Sequence, residues 1–234
     1  LQMSKAAIKR IINKDIKEIN NNKLNDLGIY IEFNENNILE ARAMIIGPKD
    51  SVYENGILFF KIFYPTNYPY APPDVCYVSR NRVRIHPNLY TRHHKSGHGK
   101  VCLSILGTWH GPKWTSIMDT STVLLTIQSI LDNNPLLHEP NVTNKLYVDT
   151  YNKIISHENI KTLFLLNTFD IPEEFNVFND IIKENFIKNK NNIENIITKN
   201  EGIKEIVKSH VYRFDYIIDY DNLRILFNEY KNKI

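Results

Sequence analysis

The sequence predicts an α+β fold: an N-terminal helix, a four-stranded antiparallel meander, a central helix and C-terminal helices. Three observations predict it. Apolar residues recur at helical spacing near the N-terminus; the period then shortens to short β-rich runs joined by tight polar turns; and after residue 119 the helical period returns.

Residues 4 to about 22 form the first element, with Ile8, Ile12, Ile16 and Ile19 as the apolar stripe, most of the lysines off it, and Ser4 as N-cap. The strands are read at 29–33, 38–46, 57–63 and 74–78, rich in β-branched and aromatic residues. The turns between them, Asn34-Glu35-Asn36-Asn37, Gly47-Pro48-Lys49-Asp50 and Glu54-Asn55-Gly56, are too short for crossovers, so the strands run antiparallel. Between Val78 and Asp119 no long regular element is evident. A segment of that length in a compact domain is functional or disordered, and its tryptophans and the apolar run Val101 to Leu106 argue for order. A helix with Val123, Leu124, Ile127, Ile130 and Leu131 inward extends from Asp119 to about Asn133, where Asn134-Pro135 stops it. Beyond Pro140 the pattern is helical throughout, in segments 143–167, 173–189, 192–209 and 219–232, with Pro172 as a boundary. This predicts a core over 1–170 and a helical extension over 171–234.

Composition narrows the function. Twenty-nine basic against 26 acidic side chains give a net charge of +3, without the clustered basic face of a nucleic-acid binder. No apolar run approaches the roughly 20 residues of a bilayer span, so no membrane association is expected. The N-terminal Leu1-Gln2-Met3-Ser4 lacks the apolar core of a secretory signal. The two cysteines, Cys76 and Cys102, suit a reducing compartment. A cytoplasmic location, compatible with the nucleus, is expected.

Cys102 is the candidate nucleophile. It lies in Val101-Cys102-Leu103, separated by 13 residues from Asn88 of His86-Pro87-Asn88. A free thiol with a pKa of about 8.5 is a few per cent thiolate at neutral pH. No histidine precedes Cys102 at a fixed catalytic spacing, which fits an acyl carrier better than a thiol hydrolase. Cys76, in Val75-Cys76-Tyr77-Val78, reads as a buried strand thiol. His93, His94 and His98 match no familiar zinc spacing and read as a solvated loop, so no metal is expected. Trp114 reads as core, and Trp109 as a gate over the cysteine.

These motifs occur in one order: Gly47-Pro48, Tyr53-Glu54-Asn55-Gly56, Tyr64 through Pro73, His86-Pro87-Asn88, Val101-Cys102-Leu103, Trp114 and Asn134-Pro135. In that order the chain resembles the ubiquitin-conjugating (UBC) enzymes. Leu106 through Trp114, Gln128-Ser129-Ile130-Leu131, His138-Glu139-Pro140, His157-Glu158-Asn159-Ile160 and Phe214-Asp215-Tyr216 resemble the large E2 Z type, which carries a C-terminal extension.

The resemblance implies the UBC fold and an acyltransferase. Cys102 would take ubiquitin, or a ubiquitin-like protein, from an activating enzyme as a thioester, and yield it to a lysine of a protein substrate or to a ligase. No cofactor is implied; ATP is consumed upstream. Asn88 would stabilise the oxyanion or hold the active-site loop, with His86 and Pro87 shaping the turn. Relatives place an acid shortly after the Asn-Pro, where this chain has Leu136 and Leu137. His138 is therefore the expected group for lysine activation, with Glu139 as the alternative. Lys5, Lys9 and Arg10 would meet the activating enzyme, and Tyr70 a ligase. Where relatives carry Ser-Pro-Ala after the tryptophan this chain has Thr115-Ser116-Ile117, a departure from the ordinary RING-ligase surface. A scaffold that binds ubiquitin without chemistry is the competing reading.

Overall fold

The computed structural model describes residues 2–233. By contacts the chain forms two compact units. The first comprises residues 1–46, 58–79 and 88–130; the second comprises 47–57, 80–87 and 131–234.

The first unit opens with helix α1 (Gln2–Arg10), a π-helical turn (Ile11–Asp15) and helix α2 (Ile16–Asn21). The π turn shifts the buried face. Of the expected stripe at Ile8, Ile12, Ile16 and Ile19 only Ile19 is buried; Ala7, Ile11 and Asp15 complete a buried row spaced four apart, while Ile12 is 48% exposed. An extra residue in one turn rotates the remainder of the helix, and a 3.6-residue reading does not anticipate it.

The rotation brings a carboxylate inside. Asp15 is fully buried and accepts from the Tyr68 hydroxyl, from Thr120 N at 2.8 Å and from Thr120 Oγ1 at 2.7 Å, with Arg10 Nε 3.4 Å away. Asp15 thus ties the N-terminal helix to the proline-rich loop and to the next helix. Burial, reinforced by the Asp15 charge, pushes the Tyr68 hydroxyl up and keeps it a donor. Asp15→Ala strands these donors and should lower stability by about 3–5 kcal/mol, or roughly 10 °C in Tm. Thermal unfolding checks this; a shift below about 2 °C would reject the hub role.

Strands β1 (Ile29–Asn34), β2 (Asn37–Ile46), β3 (Ile57–Phe63) and β4 (Asp74–Tyr77) form the expected meander. The sheet does not end there. The stretch expected to be irregular supplies β5 (Leu89–His93) and β6 (Gly99–Val101), giving six strands in the order β1-β2-β3-β4-β6-β5. β6 pairs antiparallel with β4, Cys76 opposite Lys100. Gly99 is required at this junction: a Cβ there would lie 1.7 Å from Tyr90 O. Helix α3 (Thr120–Ile130) completes the unit, capped by Asp119 Oδ1 on Thr122 N (3.0 Å) and ending three residues before the expected Asn133.

In the second unit, α4 (Lys145–Glu158) runs through a π-helical stretch (Asn159–Leu166) into the short α5 (Asn167–Phe169). Next comes α6 (Asn179–Lys199), which continues through the Asn189–Asn192 run expected to break it. Asn189 Nδ2 folds back onto Asn185 O at 2.9 Å, so the polar run caps its own helix surface. The expected helix over 192–209 is only half present. From Lys204 the chain turns into a hairpin, β7 (Lys204–Ser209) and β8 (Phe214–Asp219), before α7 (Tyr220–Lys231). Phe175, Phe178 and Phe186 are buried.

The hairpin is held by a buried polar network. Glu158 accepts from Asn81 Nδ2 (2.9 Å), Thr162 Oγ1 (2.7 Å) and the Tyr216 hydroxyl (2.7 Å). His157 Nδ1 lies 2.8 Å from the Tyr216 oxygen, whose proton already serves Glu158, and Nε2 accepts from Asp219 N at 3.3 Å. A neutral ring protonated at Nδ1 fits this set. Burial lowers the His157 pKa from its ordinary 6.5. The unfolded chain therefore binds the proton more readily, and this contribution to stability, complete above pH 6.5, is lost as pH falls below it. Acidification from about pH 7.5 to about 5.5 should depress Tm more in the wild type than in His157→Asn, and parallel curves would refute the assignment.

Candidate active site

The β5–β6 hairpin exists to set two residues side by side. Leu89 pairs with Val101, and one position beyond that pair Asn88 faces Cys102. Cys102 N donates to Asn88 O at 2.8 Å, and Asn88 Nδ2 donates to Cys102 O at 2.6 Å. The backbone of the cysteine is thus gripped on both sides by the asparagine. An amide nitrogen carries two hydrogens, so the bond to Cys102 O does not exhaust the group as a donor. Cys102 is 2% exposed and Asn88 5%.

Sequence reading missed Thr108. Its hydroxyl donates to Val101 O at 2.8 Å and accepts from Leu103 N at 2.9 Å, clasping the residues on either side of Cys102. Gly107, with φ at +69°, makes the reversal that returns the chain to them. A threonine two residues into a glycine-bearing loop carries no spacing signal that could have marked it.

In the histidine-rich loop His93 and residues 95–97 are exposed, as expected of a solvated loop, but His94 is drawn in. His94 has its side chain 6% exposed, with Nε2 2.9 Å from Asp74 Oδ1 and Nδ1 2.7 Å from Ser96 Oγ. Burial alone would raise the Asp74 carboxyl, but the hydrogen bonds from Lys95 and His94 win and hold it below its ordinary value. Cys76 is buried on β4, as expected, and burial pushes its thiol up. Among the described residues no group of three or more His, Cys, Asp or Glu is placed to hold a metal ion.

Trp114 is half-buried rather than core; its Nε1 donates to Pro69 O at 2.7 Å, latching the loop next to Tyr70. Tyr70 is 83% exposed and Ile117 77%. Lys5 and Lys9 are exposed on α1. Arg10 departs from the expected partner-facing role: Nη2 donates to Met118 O at 2.7 Å, Nη1 to Ser116 O at 2.9 Å, and Nε faces Asp15.

In the second unit His86 is fully buried and its ring lies 5.0 Å from that of His138. His138 Nε2 is 2.7 Å from Asp132 Oδ2. An acid thus lies just before the Asn-Pro, beside the imidazole. Glu139, the alternative, is taken by the Tyr212 hydroxyl at 2.6 Å.

The family model for ubiquitin-conjugating enzymes matches residues 11–162, more than half of the chain. The Xenopus tropicalis ubiquitin-conjugating enzyme E2 Z is 37% identical over 139 residues, covering 57% of this chain and 42% of that protein. An Arabidopsis thaliana protein, probable ubiquitin-conjugating enzyme E2 25, is 42% identical over 138 residues, 56% of this chain and 20% of its own length. Among solved structures, the E2 domain of a Toxoplasma gondii ubiquitin conjugating enzyme is matched at a TM-score of 0.41 and 30% identity, over 52% of this chain and 74% of that one. The chain spans less than half the length of the E2 Z protein it matches. It is similar to the E2 Z type, and it belongs to the ubiquitin-conjugating enzyme family.

Proposed function

We propose that the protein is an active ubiquitin carrier. An activating enzyme passes ubiquitin, or a ubiquitin-like protein, onto Cys102 Sγ. A lysine amine, or a ligase that directs one, then receives it. In the transfer the S–C bond breaks, a C–N bond forms, the amine proton is taken up by a base and the thiolate leaves. The observation that carries this reading is the reciprocal pair of hydrogen bonds between Asn88 and Cys102, at 2.6 and 2.8 Å, which sets a side-chain amide beside the nucleophile. An amide donor there suits the oxyanion that forms during attack.

His138, oriented by Asp132, is the proposed base for the incoming lysine: a carboxylate partner fixes the imidazole and stabilises its protonated form. His138→Gln should slow discharge to free lysine by about tenfold to a hundredfold in single-turnover reactions while leaving loading intact. An unchanged rate would remove it from the mechanism. The turn His86-Pro87 shapes the approach to Asn88. Exposed Lys5 and Lys9 on α1 suit the activating enzyme, and exposed Tyr70 a ligase. The catalytic core through residue 170, an appended region over 171–234 and a cytoplasmic location belong to the same reading; the family match ending at residue 162 supports the first two.

The test is a charging reaction with ubiquitin, ATP and each type of activating enzyme, resolved with and without reductant. A reductant-sensitive band heavier by one ubiquitin, absent in Cys102→Ala, supports the carrier. No band with any activating enzyme or modifier would favour the scaffold reading.

A further inference from the structure

The tip of the C-terminal hairpin reaches the chain just before Asn88. The turn between β7 and β8 is closed by Arg213 N on Ser209 O at 2.8 Å and presents His210 and Tyr212. Each meets a tyrosine of α4 one turn apart. His210 stacks on Tyr147 at 4.7 Å, and Tyr212 packs edge-on to Tyr151 at 5.7 Å. Both Tyr151 and Tyr212 hold one residue, Arg84. The Tyr151 hydroxyl donates to Arg84 O at 2.6 Å. The Arg84 guanidinium lies 4.7 Å from the Tyr212 ring centroid, and the Tyr212 hydroxyl donates to Glu139, whose carboxylate is 3.9 Å from Arg84.

Arg84 uses its donors on the turn. Nε donates to His86 O at 3.4 Å and Nη2 to Pro87 O. The Pro87 carbonyl and the Asn88 N–H belong to one planar peptide unit, so fixing the first fixes the plane from which Asn88 departs. A planar fork on two successive carbonyls and stacked on a ring is a task a lysine cannot copy. Burial raises the pKa of the Tyr212 hydroxyl well above its ordinary value, so it stays a donor to Glu139.

From this chain of contacts we infer that Tyr212 and Arg84 are positioning residues for the transfer step: the appended hairpin sets the orientation of Asn88. The inference rests on the carrier reading above. It assigns the hairpin a part in catalysis rather than in ligand binding, and that part is read in discharge, where an amine must attack the thioester held on Cys102 beside Asn88.

The experiment compares loading and single-turnover discharge to free lysine in the full chain. Tyr212→Ala and Arg84→Met should slow discharge by about tenfold to a hundredfold, because a donor displaced by about 1 Å costs up to roughly a hundredfold. Loading should change by less than about twofold. Tyr212→Phe, which keeps the ring under the guanidinium, should retain most of the rate. In an Asn88→Ala background, Tyr212→Ala should add no further loss, since both act through one group. Ile217→Ser, on the exposed face of the same hairpin, is the control and should change nothing.

Unaltered discharge in Tyr212→Ala and Arg84→Met overturns the inference and leaves the carrier reading standing. So does an equal additional loss in the Asn88→Ala background. Should the wild type accept no modifier, the carrier reading fails, and the side-chain amide signal of Asn88 in a proton–nitrogen correlation spectrum decides the positioning role. Displacement of that signal by Tyr212→Ala but not by Ile217→Ser supports it; a signal that stays put overturns it.

Discussion

Cys102→Ser is expected to convert a transient carrier into a dead end. The serine oxygen can accept the same acyl group, but the adduct is an ester, and expulsion of an alkoxide is far harder than expulsion of a thiolate. A serine hydroxyl is far less acidic than a thiol and a weaker nucleophile at neutral pH, so loading itself should slow. The adduct that does form should survive reductant, and its transfer to free lysine should fall below detection. The replacement is nearly isosteric but puts a hydroxyl at a site only 2% exposed, so an unchanged thermal melt of the variant must accompany the loss. Cys76→Ser, on β4, supplies the comparison: it should load and discharge as the wild type does. Wild-type transfer by Cys102→Ser, or an equal defect in Cys76→Ser, would sink the assignment of the nucleophile.

Asn88→Ala is expected to separate the two halves of the reaction. Loss of one donor to an oxyanion costs on the order of a hundredfold to a thousandfold in rate, or about 3–4 kcal/mol. The same amide also holds Cys102 O at 2.6 Å, so a second consequence must be told apart from the first. If the asparagine served only the loop, the alanine variant would lose loading and discharge together. A donor to the oxyanion of amine attack predicts discharge reduced about a hundredfold or more, with loading, where the stronger thiolate nucleophile attacks, affected much less. Rapid-quench measurement of each half reaction distinguishes them, and equal losses in both would reject the oxyanion role.

The first four strands and α3 were legible because their burial follows simple periods and their turns carry Gly, Pro and Asn. The C-terminal hairpin was not. Ile206 and Ile217 are 74% and 60% exposed, so its strands show apolar residues on both faces and no clean alternation. Its turn, Ser209 to Phe214, contains no glycine, proline or asparagine. The β5–β6 hairpin was hidden for another reason: three residues on one strand oppose a single residue on the other between its two paired positions, which erases a two-residue period. In the site, Asn88 and Cys102 could be named from motif alone. Asp132 could have been, as an acid close to a candidate base, but it precedes the Asn-Pro rather than coming after it. Arg10 looked like a free cation because Asp15, its partner inside the fold, sits where a 3.6-residue helix would not place it.

The discontinuous make-up of the second unit has a consequence for how the protein is born. Residues 47–57 and 80–87 belong with residues 131–234, so these early segments find their partners only when the last part of the chain exists. Synthesis from the N-terminus thus delivers Cys102 well before Tyr151 and Tyr212, the residues that hold Arg84, are made. Closing such distant segments is the slow part of folding. A nascent chain therefore carries its thiol for a time without the turn that would put it to use, and a chain released early, lacking the hairpin, would keep the nucleophile with Arg84 unheld by Tyr212.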